Sequence, residues 1–145
     1  MKARNPDSFI DTFAAVKRRV SALATQAYAT IELGSMQAKT LRHIGKHSRI
    51  SQAELARATD SDPALIGRAI ASLIERDLVR RTRSEEDRRE YMLELTAAGK
   101  RTCERVARLR GEIVARLTDA LDDKDLADFE RIAAKLLAAA GVPQP

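Results

Sequence analysis

Apolar residues recur at every third or fourth position over much of the chain, which is the spacing of one face of an α-helix. From Phe9 to Ala27 the steps between them are 4, 3, 4, 3 and 4 residues, which predicts a long amphipathic helix. Asn5 is expected to cap this helix and Pro6 to be its first residue. Because little chain precedes this helix, its apolar stripe must pack on later helices or on a second copy of the chain.

Two shorter helices with recognisable starts are predicted next. Ser35 is expected to cap a helix that ends near Gly45. Ser51 and Glu54 have the spacing of a capping box, in which each side chain bonds the free backbone N–H group of the other residue. The residues expected to face inward from the short helix that this box opens are Leu55 and Ala58.

The following helix has an equally clear start and a regular apolar face. Residues 59–61 form a polar turn, after which Asp62 is expected to be the cap and Pro63 the first helical residue. The helix is predicted to end near Arg76. Its inward face is predicted to consist of Ile66, Ala69, Ile70 and Leu73.

The apolar period then changes from that of a helix to that of a strand. Residues 78–83 and 91–95 are predicted to be strands, and the polar residues 84–90 the loop that joins them in a hairpin. Thr96 is expected to cap the next helix, in which Gly99 allows a close approach of another segment. The apolar stripe of that helix is predicted at Val106, Leu109, Ile113, Leu117 and Leu121.

A short helix joined by a polar turn to a second helix is a helix-turn-helix unit, and the hairpin that follows makes it winged. In this geometry the second helix enters the major groove of DNA with its first residues at the base edges. Arg68 can donate to guanine or to a phosphate, and the loop residues Arg88 and Arg89 can reach the narrow minor groove. The candidate contacts on the outward face of the second helix are Ala64, Leu65, Gly67 and Arg68.

The predicted fold class is mostly α: a winged helix-turn-helix with a small β-hairpin wing and a helical dimerisation region from both termini. Residues 1–34 are expected to form a dimerisation helix and residues 35–98 the DNA-binding domain. Residues 99–145 are expected to complete the dimer interface. Within them a new cap at residues 122–125 precedes a last amphipathic helix, which is expected to end at residues 141–143.

The charge of the chain is concentrated in its middle. The 145 residues carry a net charge of +5, with 17 basic and 11 acidic side chains in residues 39–110 but 4 and 7 in residues 111–145. A basic segment favours a polyanionic partner such as DNA. Two alternatives stay open: the abundance of arginine can reflect a GC-rich genome, and the arginines of the loop can pair with its glutamates.

The composition of the chain bears on its cellular location and on the kind of nucleic acid that it can bind. One cysteine builds no disulfide framework, and no apolar run is long enough to cross a membrane, so we expect a cytoplasmic protein without membrane contact. Tryptophan is absent and aromatic residues make up 3%, which disfavours stacking on single-stranded bases. The predicted partner is therefore double-stranded DNA.

Several short motifs follow one another along the middle of the chain. They are Ser51-Gln52-Ala53-Glu54-Leu55-Ala56, Asp62-Pro63 leading to Arg68, Leu73-Ile74-Glu75-Arg76, and Asp87-Arg88-Arg89 followed by Leu95-Thr96 and Gly99. In these residues the sequence resembles the MarR family of winged helix-turn-helix regulators, and the resemblance extends over nearly the whole chain. The most specific part is the match to the family's Asp-x-Arg wing and its Leu-Thr-x-x-Gly helix start.

The resemblance implies a homodimer, joined by its first and last helices, that binds a pseudo-palindromic operator and regulates transcription, most often by repression. It also implies that Arg89 enters the minor groove and that Asp87 holds it in place. The chain departs from the family at Ala64, Leu65 and Gly67, where small hydroxyl residues are usual, so Leu65 is left to contact a thymine methyl. The full set of expected DNA-contacting residues is Gln52, Ala64, Leu65, Gly67, Arg68, Asp87, Arg88 and Arg89.

The resemblance further implies a small aromatic or phenolic effector, bound between the dimer helices and the winged domain. We expect such a site near Tyr28 and His43. The function thus predicted is a ligand-responsive regulator, and the alternative is a winged-helix protein-interaction module or anti-repressor that no longer binds DNA.

No catalytic motif is present, so we predict that the chain is not an enzyme and uses no cofactor. His43 and His47 stand four residues apart, but no further ligand joins them in the sequence, and no metal site is predicted. Cys103 is expected to be a small packing residue. A redox role stays open because Arg101 and Arg105 can lower the pKa of its thiol.

Overall fold

A computed structural model describes residues 5–141 of the chain. It consists mainly of helices with one small sheet, which confirms the predicted fold class. The helices are α1 (Pro6–Ala29), α2 (Ser35–Gly45), α3 (Gln52–Thr59), α4 (Pro63–Glu75), α5 (Ala97–Thr118) and α6 (Asp123–Ala139). The strands are β1 (Ile50–Ser51), β2 (Val79–Arg83) and β3 (Tyr91–Leu95).

Helix α1 begins as predicted, because the side chain of Asn5 accepts a hydrogen bond from the backbone N–H of Asp7 at 3.1 Å. The predicted cap of α2 is wrong: Gly34 is the N-cap, and its N–H donates to the side chain of Gln37 at 2.8 Å. Ser35 is the first residue of the helix instead. Its hydroxyl lies 2.9 Å from that of Thr25, so it is engaged with α1 rather than with its own helix end.

The capping box of α3 is confirmed by reciprocal hydrogen bonds of 3.1 Å between Ser51 and Glu54. Leu55 is buried as predicted, but Ala58 is exposed and Thr59 is buried in its place. Thr59 lies four residues after Leu55 on the same face, and its hydroxyl donates to the Leu55 carbonyl at 2.9 Å. That bond allows a polar side chain to occupy the inner position.

One hydrophobic core holds the middle of the chain together. The predicted inward face of α4 is confirmed, since each of its four residues is buried. They pack with residues from α2 and the sheet, and the tail of α1 joins them through Tyr28. The best-buried large side chains are Leu41, Ile44, Leu55, Ile66, Ile70, Leu73 and Leu93.

The sheet has a third strand that the sequence analysis did not predict. Its order is β1-β3-β2, and all pairs are antiparallel. Strand β1 pairs Ile50 with Leu93 and Ser51 with Met92. Two residues are too few to show the alternation that marks a strand, so the strand is visible only through its partner.

Helix α5 begins as predicted, because the hydroxyl of Thr96 accepts from the N–H of Gly99 at 2.9 Å. A Cβ atom at Gly99 would lie 1.9 Å from the backbone oxygen of Leu78, so the close approach expected there is confirmed. The helix ends at Thr118, which leaves Leu121 outside it, contrary to the predicted stripe. The Leu121 N–H donates to the Thr118 carbonyl in the turn before α6.

The chain forms two compact units that divide after Arg110. The second unit contains the end of α5 and α6, whose start is capped by Asp122 and Asp125 as predicted. The boundaries expected at residues 34 and 98 stay a prediction. Helix α6 ends at Ala139, just before Gly141 as expected, and Val142 and Pro143 lie outside the described residues. Between residues 5 and 141, no helix is both long and apolar enough to cross a membrane.

Candidate nucleic-acid interface

The turn between α3 and α4 is fixed at both ends. Asp60 ends α3 with a φ of 45°, a left-handed conformation that Asp tolerates better than most residues. Asp62 caps α4 by accepting from the N–H of Ala64 at 2.7 Å. The ammonium group of Lys39, on α2, donates to the carbonyl of Thr59 at 2.9 Å and so ties the turn to the core. The start of α4 is therefore held firmly in place.

The outward face of α4 carries the residues expected to contact DNA. Ala64, Leu65 and Arg68 are exposed, and Gly67 is half-buried. Leu65 exposes 42% of its surface, a large apolar side chain without cover from the chain itself. Within residues 5–141, Arg68 forms no ion pair. This face thus offers one free guanidinium group and a small apolar surface.

Gly67 and Gln52 shape the space beside α4. Apart from its chain neighbours and its own helix backbone, the one atom of the described residues within 4 Å of a Cβ placed at Gly67 is Nε2 of Gln52, at 4.0 Å. The other amide atom of Gln52, Oε1, accepts from the Arg81 guanidinium at 3.3 Å. The amide NH₂ group of Gln52 therefore lies beside an open slot at Gly67, where it can donate to an incoming group.

The wing loop is shaped by its own side chains. The hydroxyl of Ser84 accepts from the N–H groups of Glu86 and Asp87 at 3.2 and 3.3 Å. The carboxylate of Asp87 accepts from the backbone N–H of Arg89 at 2.9 Å. Asp87 therefore holds the backbone of Arg89, rather than its guanidinium group.

Arg88 and Arg89 are both exposed at the end of the wing. In the part of the chain that the structure describes, neither forms an ion pair with Glu85, Glu86 or Glu90. The loop thus presents two guanidinium groups whose charge no carboxylate of the loop neutralises.

Three further residues of the wing, which the sequence analysis did not single out, lie close together. The guanidinium carbons of Arg81 and Arg83 each lie 5.1 Å from the centre of the Tyr91 ring. The signal was present as arginine at alternate positions of a predicted strand, but Tyr91 is brought to them only by the pairing of β2 with β3.

Tyr28 and His43, the residues expected near an effector, belong to the core and its edge. Tyr28 is buried, and Nδ1 of His43 lies 2.9 Å from the carbonyl oxygen of Lys39. Burial lowers the pKa of His43 below its usual value, and the neighbouring Arg42 and Lys46 act in the same direction.

An open groove of about 600 Å³ lies elsewhere, between the end of α2, the sheet and the start of α5. Neither Tyr28 nor His43 lines it. No sequence signal marked this groove, because its walls come from three separate segments. Its lining includes His47, Arg80, Glu94, Lys100 and Cys103.

Cys103 lines that groove and is half-buried against the core. Burial raises the pKa of its thiol, and the nearby charge of Glu104 raises it further. The expectation that Arg101 and Arg105 would lower this pKa is wrong, because both arginines are exposed while Cys103 faces inward. A Cβ at Gly45 would lie 2.7 Å from the sulfur, so α2 and α5 are in close contact at this point.

Residues 5–141 contain no group of three or more His, Cys, Asp or Glu side chains placed so that they could hold a metal ion.

Together these elements make a winged helix-turn-helix protein whose wing and second helix present free cationic groups. Residues 32–90 match the model of the MarR family. Over this segment the chain is similar to the MarR family, in agreement with the resemblance inferred from its motifs.

Two curated relatives each match a little over half of the chain. The HTH-type transcriptional repressor NicR of Pseudomonas putida is 37% identical over 82 residues, which cover 57% of this chain and 52% of the relative. The HTH-type transcriptional regulator BilQ of Clostridium symbiosum is 31% identical over 83 residues, covering 57% of this chain and 58% of the relative. The chain thus spans about half the length of the curated relatives it matches.

Solved structures resemble the chain over almost its full length. AbsC, a MarR family transcriptional regulator from Streptomyces coelicolor, has a TM-score of 0.87 and 21% identity, covering 99% of this chain and 100% of that one. The MepR–DNA complex of S. aureus has a TM-score of 0.84 and 18% identity, covering 94% and 99%. At such identities the likeness establishes the fold.

Proposed function

We propose that the chain is a sequence-specific regulator of transcription that binds double-stranded DNA as a homodimer on a pseudo-palindromic operator. The observation that carries this proposal is the free cationic surface formed by Arg68 on α4 and by Arg88 and Arg89 on the wing. Guanidinium groups without carboxylate partners are suited to phosphates and guanine edges. The MarR-family match and the DNA-bound state of the similar MepR structure support the same function.

Each part of the interface has its own role in this proposal. The first turns of α4 enter the major groove, where Leu65 contacts a thymine methyl and Arg68 a guanine or a phosphate. Arg89 enters the minor groove, supported by the hydrogen bond from its backbone to Asp87. Gln52, in the first turn of α3, donates a hydrogen bond from its amide group to the DNA. Ala64 and Gly67 allow a close approach, and Arg88 binds the adjoining backbone.

The homodimer is supported by apolar side chains that the single chain leaves exposed. They lie on the two terminal helices and at the end of α5, whereas few occur on the winged domain. A two-fold dimer predicts half-sites about 10 base pairs apart. The exposed residues are Phe9, Ile10, Phe13 and Val16 on α1, Val114 and Leu117 on α5, and Phe129, Ile132, Leu136 and Leu137 on α6.

Repression and effector response belong to the proposal as well. NicR is a repressor by name, and a dimer bound over a promoter blocks polymerase. A small aromatic or phenolic acid is proposed to release the DNA by binding near Tyr28 and His43. Isothermal titration with salicylate-like acids is expected to give saturable heat, and the absence of heat would remove this part alone.

The test is selection from a randomised duplex pool at moderate salt, followed by sequencing. Enrichment of an inverted repeat with fixed spacing is expected. Arg89→Ala is expected to weaken binding to the selected duplex by about tenfold without unfolding the protein. The matched control is Arg80→Ala, because Arg80 is paired with Glu94 at 2.7 Å.

A second candidate is favoured by the exposed apolar side chain of Leu65 between two small residues, Ala64 and Gly67. Such a face suits a protein partner in a winged-helix module that has lost DNA binding. In that case no duplex is retained even at low salt, and Leu65→Asp abolishes the protein complex instead.

A further inference from the structure

The pairing of β2 with β3 divides the wing into two faces of different character. Residues directly opposite in an antiparallel pair lie on the same face of a sheet. The pairs Val79–Leu95, Arg81–Leu93 and Arg83–Tyr91 share one face, which is buried at Val79 and Leu93 and exposed at Arg81, Arg83 and Tyr91. The face that covers the core thus ends, at the wing, in two arginines and a tyrosine.

These three side chains, Arg81, Tyr91 and Arg83, form what we call the arginine–tyrosine stack. Both guanidinium carbons lie 5.1 Å from the ring centre, within the range of a cation–π contact. Arg83 also donates to the hydroxyl of Tyr91 at 3.2 Å. The ring therefore fixes the positions of two like charges that repel each other.

The arginine–tyrosine stack connects two parts of the candidate interface. At one end Arg81 donates to Gln52, in the first turn of α3, at 3.3 Å. At the other end Arg83 donates to the carbonyl of Arg88, at the end of the wing, at 2.6 Å. The two arginines therefore occupy the surface between the helix-turn-helix unit and the tip of the wing.

The charge on this face is not neutralised by the protein. Across residues 5–141, no carboxylate forms an ion pair with Arg81 or Arg83, whereas Arg80 on the opposite face is paired with Glu94. The two guanidinium groups are exposed, lie side by side and have no carboxylate partner. An anion that binds to them therefore reduces the repulsion between their charges. A guanidinium group offers two parallel donors that match the oxygens of a phosphate.

We propose that Arg81 and Arg83 bind phosphates of the DNA backbone between the major-groove and minor-groove contacts, and that Tyr91 is the positioning residue that sets their spacing. The proposal rests on the proposed DNA-binding function and adds contacts that read no sequence. These contacts from β2 contribute affinity for DNA that does not depend on the operator sequence.

The first test compares Arg81→Ala and Arg83→Ala with Arg80→Ala in binding to the selected duplex and to an unrelated duplex over a range of salt. Each stack variant is expected to lower the slope of log affinity against log salt by about one, and to weaken binding to both duplexes by about the same factor. Arg80→Ala is expected to keep the wild-type slope. Stack variants that match Arg80→Ala in slope and affinity would overturn the proposal.

Arg81→Lys serves as a second variant if Arg81→Ala fails to fold. It keeps the charge but not the planar group, so it is expected to retain the slope and to bind more weakly than the wild type. Far-UV circular dichroism of each free variant checks its fold. If Arg81→Lys and Arg81→Ala have equal slopes, Arg81 neutralises no phosphate and the proposal fails for that residue.

The second test concerns Tyr91. Tyr91→Phe keeps the ring and is expected to bind DNA within about twofold of the wild type, whereas Tyr91→Ala is expected to bind about fivefold more weakly. The thermal midpoints of the two free proteins are expected to agree, which separates positioning from a general loss of stability. Equal affinities of the two variants would overturn the role of Tyr91.

Arg89→Ala in the same assay separates this proposal from the proposed function. If the wild type binds no duplex, the proposed function fails and the stack proposal fails with it. If the wild type binds and Arg89→Ala weakens it, while the stack variants behave like Arg80→Ala, the stack proposal alone fails.

Discussion

In the winged domain, large apolar side chains such as Leu41, Ile44 and Leu73 have no exposed surface. On the terminal helices the opposite holds: Phe13 on α1 is 54% exposed and Phe129 on α6 is 66% exposed. Both regions have the same helical spacing of apolar residues in the sequence. One region closes its core within a single chain, whereas the other leaves its apolar stripe open.

The contrast shows that amphipathic spacing defines a face without defining what covers it. Burial of a large apolar side chain contributes about 1.5–3 kcal/mol, and a single chain forgoes much of that gain along α1 and α6. Extended exposed apolar surfaces are typical of protein–protein contacts. Substitutions in the closed and the open region test this contrast. Their expected effects decrease from Gly99→Ala to His43→Gln.

Gly99→Ala is expected to disrupt the closed region most severely. Its Cβ would lie 1.9 Å from the backbone oxygen of Leu78, so α5 or the start of β2 must shift. We expect a loss of about 4 kcal/mol or more in the free energy of unfolding, measured by urea denaturation. Gly111→Ala is the matched control: apart from its chain neighbours and its own helix backbone, the added Cβ meets no atom of residues 5–141 within 4 Å, and the change is expected to stabilise the helix by about 0.5–1 kcal/mol. Wild-type stability of Gly99→Ala would contradict the close approach.

Ile70→Ala and Ile10→Ala compare the same change in the two regions. Ile70 is fully buried and Ile10 is 60% exposed. Ile70→Ala is expected to lower the free energy of unfolding by about 3 kcal/mol, because it removes packing and leaves a cavity. At concentrations where the chain is monomeric, Ile10→Ala is expected to cost less than about 0.5 kcal/mol. Similar losses in both variants would mean that α1 is covered within the single chain.

Phe129→Asp tests the open region directly. A charge on the exposed stripe of α6 opposes burial against a second copy, so we expect dimerisation to weaken by about thirtyfold, or about 2 kcal/mol. Sedimentation velocity over a range of concentrations measures this change. Phe129→Leu keeps the stripe apolar and is expected to retain the dimer. An unchanged mass distribution for Phe129→Asp would exclude α6 from the interface.

His43→Gln is expected to have the smallest effect, and one that depends on pH. Burial lowers the pKa of His43 in the folded chain, so on acidification the unfolded chain takes up its proton first. The stabilisation from the neutral imidazole is complete above the usual pKa of histidine and is lost as the pH falls from about 7 towards 5. The stability of the wild type is thus expected to fall relative to His43→Gln over this range, in urea titrations at several pH values. A constant difference would show that burial of His43 has no such effect.

Local rules of helix ends allowed most of the winged domain to be predicted. Ser51 with Glu54 and Asp62 before Pro63 specify their helix starts through bonds to residues two or three positions away, and the structure contains those bonds. The prediction that Ser35 caps α2 was wrong. Its hydroxyl is hydrogen-bonded to that of Thr25 on α1 instead of to the start of its own helix. A cap predicted from the sequence holds only where no tertiary partner competes for the side chain.

The features that were missed depend on distant pairing. Strand β1 exists because Ile50 and Ser51 meet β3, more than 40 positions later in the sequence. Likewise, the ring of Tyr91 lies beside Arg83 only because β2 and β3 pair in one register. Arg68, Arg88 and Arg89 of the candidate interface were predicted, since exposed charge near a helix-turn-helix is a local signal. Arg81 and Arg83 were not, because their place beside Tyr91 depends on a strand register that has no signature in either strand alone.

The contact between Gly45 and Cys103 constrains how this protein can change over generations. A methyl group at position 45 would lie 2.7 Å from the sulfur, so an alanine there is unfavourable while the cysteine remains. Replacing Cys103 by alanine first removes the sulfur, after which Leu95 Cδ1, at 3.2 Å from the added methyl group, has to move by only a few tenths of an ångström. The order of two neutral-looking mutations is thereby fixed, and lineages that carry a larger residue at position 45 are expected to have lost the sulfur beforehand.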